Sequence, residues 1–174
     1  MKGNRTILEN ASQSFKAELQ LASCTLISND CSYLLWGTLM NEIRVYNLKK
    51  HIEENALVGH TKTIEKVIIS QDNQIVISCA DDGSIKIWDF NRKKLIGNLL
   101  GHLVWVRDIS ICKENKFLAS GSNDRTVRVW DLEKMTEKMC FAGLKRPVSS
   151  VGISAKRKII ASIDWRFTEV QVWI

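Results

Sequence analysis

One proline and nine glycines in 174 residues leave no material for a proline-rich or low-complexity linker. No run of about 18 uncharged apolar residues occurs, so no transmembrane helix is expected. The opening residues Met1-Lys2-Gly3-Asn4-Arg5 lack the continuous apolar stretch of a secretory signal. Five cysteines (Cys24, Cys31, Cys79, Cys112 and Cys140) are scattered and form no Cys-x-x-Cys pair. The three histidines do not join them at zinc-ligand spacing, so neither a metal site nor a disulfide framework is expected. Phosphate-binding glycine loops, the H-E-x-x-H helix and the calcium loop are missing too. These absences predict an intracellular protein of the cytoplasm or nucleus with no cofactor.

What is present is ordinary for a globular domain: 45% hydrophobic and 25% charged residues. The length suits one domain or a piece of a larger one. A net charge of +6 suits an acidic partner, but solubility alone also favours lysine-rich turns.

The organising feature is a repeat. Gly59-His60, Gly101-His102 and Gly143-Leu144 follow one another at intervals of 42 residues. Tyr46-Asn47, Trp88-Asp89, Trp130-Asp131 and Trp173-Ile174 follow at 42, 42 and 43. Two markers at opposite ends of the unit hold one period. Within the unit starting at Gly101, four strand signals alternate with polar turns: Val106–Ile111, Phe117–Ser120, Thr126–Trp130 and Met135–Phe141. No segment carries a helical period, so the fold class is all-β.

A Gly-His opening and a Trp-Asp close about 40–45 residues apart resemble the WD40 repeat, whose family builds β-propellers from four-stranded blades. The resemblance covers residues 1–174, as an outer strand at 4–16 followed by repeats at about 17–58, 59–100, 101–142 and 143–174. An outer strand placed before three inner strands resembles the device by which a propeller's first strand completes its last blade and removes sheet edges. Four blades leave three architectures open: a small closed ring, half of a dimeric ring, or part of a longer propeller. The abrupt stop after Trp173 favours the partial propeller, with a homodimer next.

Repeat two holds His60, Ser78, Asp82 and Trp88, and repeat three holds His102, Ser120, Asp124 and Trp130. On paper His, Ser and Asp suit a hydrolase triad. An enzyme needs one such site, however, whereas a structural device can be copied into each blade. The family resemblance implies the second reading, a buried hydrogen-bonded tetrad in which no residue is catalytic. Repeats one and four depart from it. Repeat one has Glu18, Trp36, Met40 and Tyr46 at the four positions, and repeat four has Leu144 for His and Arg166 near the Asp position.

The same resemblance implies that the His loops and the turns between second and third strands share one rim. Trp105, Arg107, Asp81, Asn123, Trp165 and Phe167 fall there and are candidate contacts for a protein or peptide partner, since Trp and Arg dominate interface energies. The alternative for the two tryptophans is that they cap the core between blades. The opposite rim gathers Lys49, Lys50, Arg92, Lys93, Lys94, Lys156, Arg157 and Lys158. These could meet nucleic-acid phosphates or anionic lipid headgroups, although no interleaved aromatics offer a stacking platform. The expected function is a non-catalytic scaffold or adaptor. An anion-binding module is the alternative.

Overall fold

The computed structural model describes residues 22–154, 156, 158–166 and 169–173. The outer strand expected at 4–16, together with Glu18, Arg157 and Phe167, lies outside them. Among the described residues there are strands and turns, and no helix.

Fifteen strands form four antiparallel sheets, each in simple sequential order. Blade 1 comprises β1 (Ala22–Ile27), β2 (Tyr33–Thr38), β3 (Glu42–Asn47) and β4 (Ile52–Val58). Blade 2 comprises β5 (Ile64–Ile69), β6 (Ile75–Ala80), β7 (Ile85–Asp89) and β8 (Lys94–Leu99). Blade 3 comprises β9 (Val106–Ile111), β10 (Phe117–Ser122), β11 (Val127–Asp131) and β12 (Thr136–Phe141). Blade 4 shows three strands, β13 (Val148–Ser154), β14 (Ile159–Asp164) and β15 (Val170–Trp173). Beside it lies a groove of about 770 Å³ lined by Phe117, Met139, Phe141, Ile153, Ile159 and Trp173, among others.

The repeat is written into the backbone as well as the side chains. Left-handed residues recur at equivalent turns: Cys31, Asn73 and Asn115 between first and second strands, and His51, Lys93 and Met135 between third and fourth. Asn41, Gly83 and Arg125 occupy the same conformation between second and third strands. Glycine and asparagine pay little for it; the others are held by the flanking ladders. At Gly83 a side chain would also sit 3.2 Å from the His102 carbonyl oxygen.

Each inner strand carries a register shift near its start, at Ala22/Cys24, Ile64/Lys66 and Val148/Ser150, and opposite β9 at Gly121/Ser122. Such bulges sharpen the local twist. One backbone bond then ties turn to loop in three blades. Asp81 N donates to Thr63 O (2.9 Å), Asn123 N to Trp105 O (2.9 Å) and Trp165 N to Pro147 O (3.1 Å).

Every sheet has two apolar faces, which is why the blades stack. Leu35, Val45 and Leu57 of blade 1 meet Val67, Val76 and Trp88 of blade 2 in one buried cluster. Ile77, Cys79, Ile85 and Ile87 of blade 2 meet Val106, Ile109 and Trp130 of blade 3 in a second. Ala119, Val127 and Val129 meet Val148, Val151 and Ile160 in a third. Each tetrad residue set lies on the face turned toward the preceding blade.

Near the axis, the inner strands are joined by Asp108. Its carboxylate accepts from Lys66 Nζ (2.7 Å), Ser150 Oγ (2.6 Å) and Val151 N (2.9 Å). Lys66, Asp108 and Ser150 are equivalent positions of three blades, and Asp108 is buried.

Consecutive blades touch through β1 and β5, β5 and β9, and β9 and β13, and no comparable contact joins β13 to β1. The four blades therefore form an open arc. This overturns the closed four-blade ring among the three expected architectures, because closure requires a fourth interblade core and the described residues build three.

Candidate functional site

The two tetrads form complete hydrogen-bond chains. In blade 2, Trp88 Nε1 donates to Ser78 Oγ (2.9 Å). Ser78 Oγ lies 2.8 Å from His60 Nε2, and His60 Nδ1 lies 2.9 Å from Asp82 Oδ2. Blade 3 repeats this with Trp130, Ser120, His102 and Asp124 at 2.8, 2.7 and 2.8 Å. A carboxylate can only accept, so Nδ1 carries the ring proton and Nε2 accepts from serine. Each of the four side chains is thereby hydrogen-bonded to its neighbour in the chain.

Burial alone would raise the Asp82 carboxyl, but hydrogen bonds from His60, Thr61 N and Ser84 outweigh it and hold the group ionised well below the usual range. Burial opposes and His102 and Thr126 likewise prevail at Asp124. Chemically this is unlike a nucleophile site. Ser78 and Ser120 are fully buried, and the serine oxygen already accepts from tryptophan. A substrate carbonyl cannot reach either hydroxyl.

Blades 1 and 4 stabilise the corresponding places differently. In blade 1 the Thr38 hydroxyl replaces the turn aspartate, donating to Glu42 O (3.0 Å) and accepting from Met40 N (3.2 Å). In blade 4 Ser162 is buried, and Trp173 packs on Phe141 with ring centroids 4.7 Å apart.

The rim above the tetrads brings together several of the residues singled out in the sequence. The Arg107 guanidinium lies over the Trp105 ring, 4.6 Å from its centroid. Its Nη1 reaches Glu65 Oε2 (3.0 Å) and its Nε donates to Asn123 Oδ1 (3.3 Å). Asp81 stands beside Glu65; burial first, then the neighbouring carboxylate, pushes it up to about 6. Arg107, Asn123 and Trp165 line a groove of about 520 Å³ with Pro147 and Ser149. Trp105 and Trp165 are 40% and 56% exposed.

Other rim residues were not singled out. Leu100, Leu103 and Val104 stand exposed next to Trp105; on blade 1 Val58, the counterpart of Leu100, is exposed, as are Leu39 and Met40 in the turn between β2 and β3. Leu103-Val104-Trp105 follows directly on Gly101-His102, so an apolar run after a solvent-facing loop was the available signal. Glu65 and Arg107 occupy equivalent positions of successive repeats, which would have paired them.

The basic rim is weaker than its composition suggests. Lys93 is a correction: its ammonium is turned inward over the Phe90 ring (3.6 Å) and pairs with Glu54 (3.2 Å). Burial and this pair set its ionisation, burial pushing the pKa down. Arg92 pairs with Asp89 at 3.2 Å. Lys50, Lys94, Lys156 and Lys158 remain exposed, as does Lys49.

Among the described residues no group of three or more His, Cys, Asp or Glu could hold a metal ion, and no helix is long and apolar enough to cross a membrane.

Comparison with known proteins agrees with this architecture. The family model for the WD domain, G-beta repeat, matches residues 52–89 and 93–131. Each match begins on an outer strand and runs through the next three, so the sequence unit is staggered by one strand against the sheets. Over 63 residues the chain is 36% identical to the serine-threonine kinase receptor-associated protein of Gallus gallus, covering 36% of this chain and 18% of that protein. Over 64 residues it is 33% identical to small ribosomal subunit protein RACK1 of Medicago sativa, covering 37% and 18%. The crystal structure of RRP9 WD40 repeats superposes with a TM-score of 0.81 at 21% identity, covering 88% of this chain and 48% of that one. The structure of U3-55K gives 0.80 at 20%, covering 88% and 49%. The chain thus spans about half the length of these solved structures and aligns with under a fifth of the curated relatives. Two stretches of the chain thus match the WD40 repeat, and its blades have the fold of the solved WD40 repeats of RRP9.

Proposed function

We propose that the chain is a non-catalytic platform whose His-loop rim binds a protein or peptide. The observation that carries this reading is the rim groove between blades 3 and 4, with Trp165 on one wall and Arg107 and Asn123 on the other. Exposed Leu103, Val104 and Trp105 extend it toward blade 2. Contiguous exposed apolar surface with Trp and Arg is the composition of binding hot spots. The tetrads support the same reading by using their histidines and serines to fasten loops rather than to meet a substrate. One relative is named as associated with a serine-threonine kinase receptor and another as part of the small ribosomal subunit; both names describe proteins that work beside other macromolecules.

The test is selection of binders from a displayed random-peptide library, followed by titration of the best peptide. Trp165→Ala is expected to weaken that peptide by about 2 kcal/mol, some 30-fold, with the thermal transition unchanged. Equal affinity for wild type, Trp165→Ala and Trp105→Ala would remove the rim as the site.

A further inference from the structure

The rim changes its charge along the arc at two repeated positions. Blade 2 places Glu65 near the start of β5 and Asp81 in the turn after β6. The equivalent residues are Arg107 and Asn123 in blade 3, and Ser149 and Trp165 in blade 4. Two carboxylates thus give way to a cation and an amide, and then to a hydroxyl and an indole. Between blades 3 and 4 lies the groove of about 520 Å³ lined by Arg107, Asn123, Pro147, Ser149 and Trp165. Among the described residues no carboxylate lines it.

Donors dominate this groove. Arg107, whose side chain is 33% exposed, uses two of its five N–H groups, one on Glu65 and one on Asn123. Asn123 Oδ1 is taken up by that bond, and Ser149 Oγ donates to the carbonyls of Ile163 and Asp164. Each segment that supplies a lining residue also carries an exposed cation. Arg125 follows Asn123 by two residues, Lys145 precedes Pro147 by two, and Arg166 adjoins Trp165. The ion pairs at this end of the arc are Arg107–Glu65 and Arg146–Asp164. Arg125, Lys145 and Arg166 take no part in them. The apolar wall is Trp165, 56% exposed, with Pro147.

We infer that the rim site proposed above, on which this inference rests, takes an acidic peptide segment in this groove. One carboxylate of the peptide meets Arg107, an apolar side chain lies on Trp165 and Pro147, and further carboxylates face Arg125, Lys145 and Arg166. A neutral segment laid over Arg107 would strip water from its free N–H groups and supply weaker acceptors in return. Cations spread over three segments suit several single charges. A phosphate dianion needs guanidiniums converging on one point, and Arg146 is already engaged by Asp164. Glu65 and Asp81 bound the site toward blade 2, where an acidic chain would meet like charge.

Fluorescence anisotropy with three labelled peptides of one length measures the choice. Each carries a central leucine, flanked by aspartate and glutamate, by serine and glycine, or by lysine and arginine. The acidic peptide is expected to bind about tenfold tighter than the serine peptide, the sum of two or three exposed ion pairs. Its affinity is expected to fall as salt rises, and the lysine peptide is expected not to bind. Arg125→Asp combined with Lys145→Glu is expected to transfer the preference to the lysine peptide, with the thermal transition unchanged. Aspartate is chosen at 125 because it tolerates the left-handed backbone there. Trp165→Ala is expected to weaken the acidic and serine peptides alike. Equal affinity for all three peptides, lost on Trp165→Ala, would overturn the acidic preference and leave the rim site standing. An acidic peptide indifferent to Trp165→Ala would overturn it too, as would failure of all three to bind. So would an oligouridylate bound more tightly through the same residues.

Discussion

Arg107 and Glu65 stand 42 residues apart in the chain and 3.0 Å apart on the rim, where the same guanidinium covers the Trp105 ring. One cation thus serves an aromatic face and an acidic pair, for Asp81 lies against Glu65 and feels Arg107 as well. Removing that cation should be visible at Asp81. Arg107→Ala is expected to move the Asp81 titration midpoint upward from about 6, read by carboxyl chemical shifts in NMR. Stability should change by less than about 1 kcal/mol, as for partly solvated ion pairs. A midpoint that falls would refute this account of the rim's charge.

Asp81 itself should cost stability at neutral pH. Its folded pKa of about 6 exceeds the unfolded value of about 3.9. A raised acid destabilises nothing below the unfolded value; the cost grows between the two and is constant above the folded one. Asp81→Asn is therefore expected to raise the melting temperature relative to wild type at pH 8 and to leave it equal at pH 4. The same difference at both pH values would show that charge is not the cause.

The tetrad serines should act on stability and on nothing else. Ser78→Ala or Ser120→Ala leaves a buried indole N–H and an imidazole nitrogen without partners, each change costing about 1–3 kcal/mol. Urea unfolding midpoints measure it. The two costs should add, because the tetrads sit in separate interblade cores. A hydrolase activity lost on Ser78→Ala with the midpoint unmoved would reverse the assignment.

Much of the fold could be read directly from the chain. A period of 42 residues with strand and turn signals in fixed phase specifies both sheet and stacking, because each repeat must find two apolar neighbours. The tetrads were legible for the same reason: His60, Ser78, Asp82 and Trp88 reappear at His102, Ser120, Asp124 and Trp130. Contacts between repeats were harder to see. Asp108 looks like an ordinary polar residue inside a strand, and only the stacking of inner strands shows that Lys66 and Ser150 meet it. Lys93 was misplaced because a lysine in a turn is assumed to face water. Its left-handed backbone and the Phe90 ring below it turn the stem inward, where a long aliphatic chain can lie along apolar surface.

Among the described residues, complete tetrads occur in the two middle blades. Protection against amide exchange should therefore be graded along the chain, deepest in β6 and β10 and shallow toward β1 and β15. Such a molecule opens from its ends inward, so the first backbone to become available to proteases or to foreign strands belongs to blades 1 and 4.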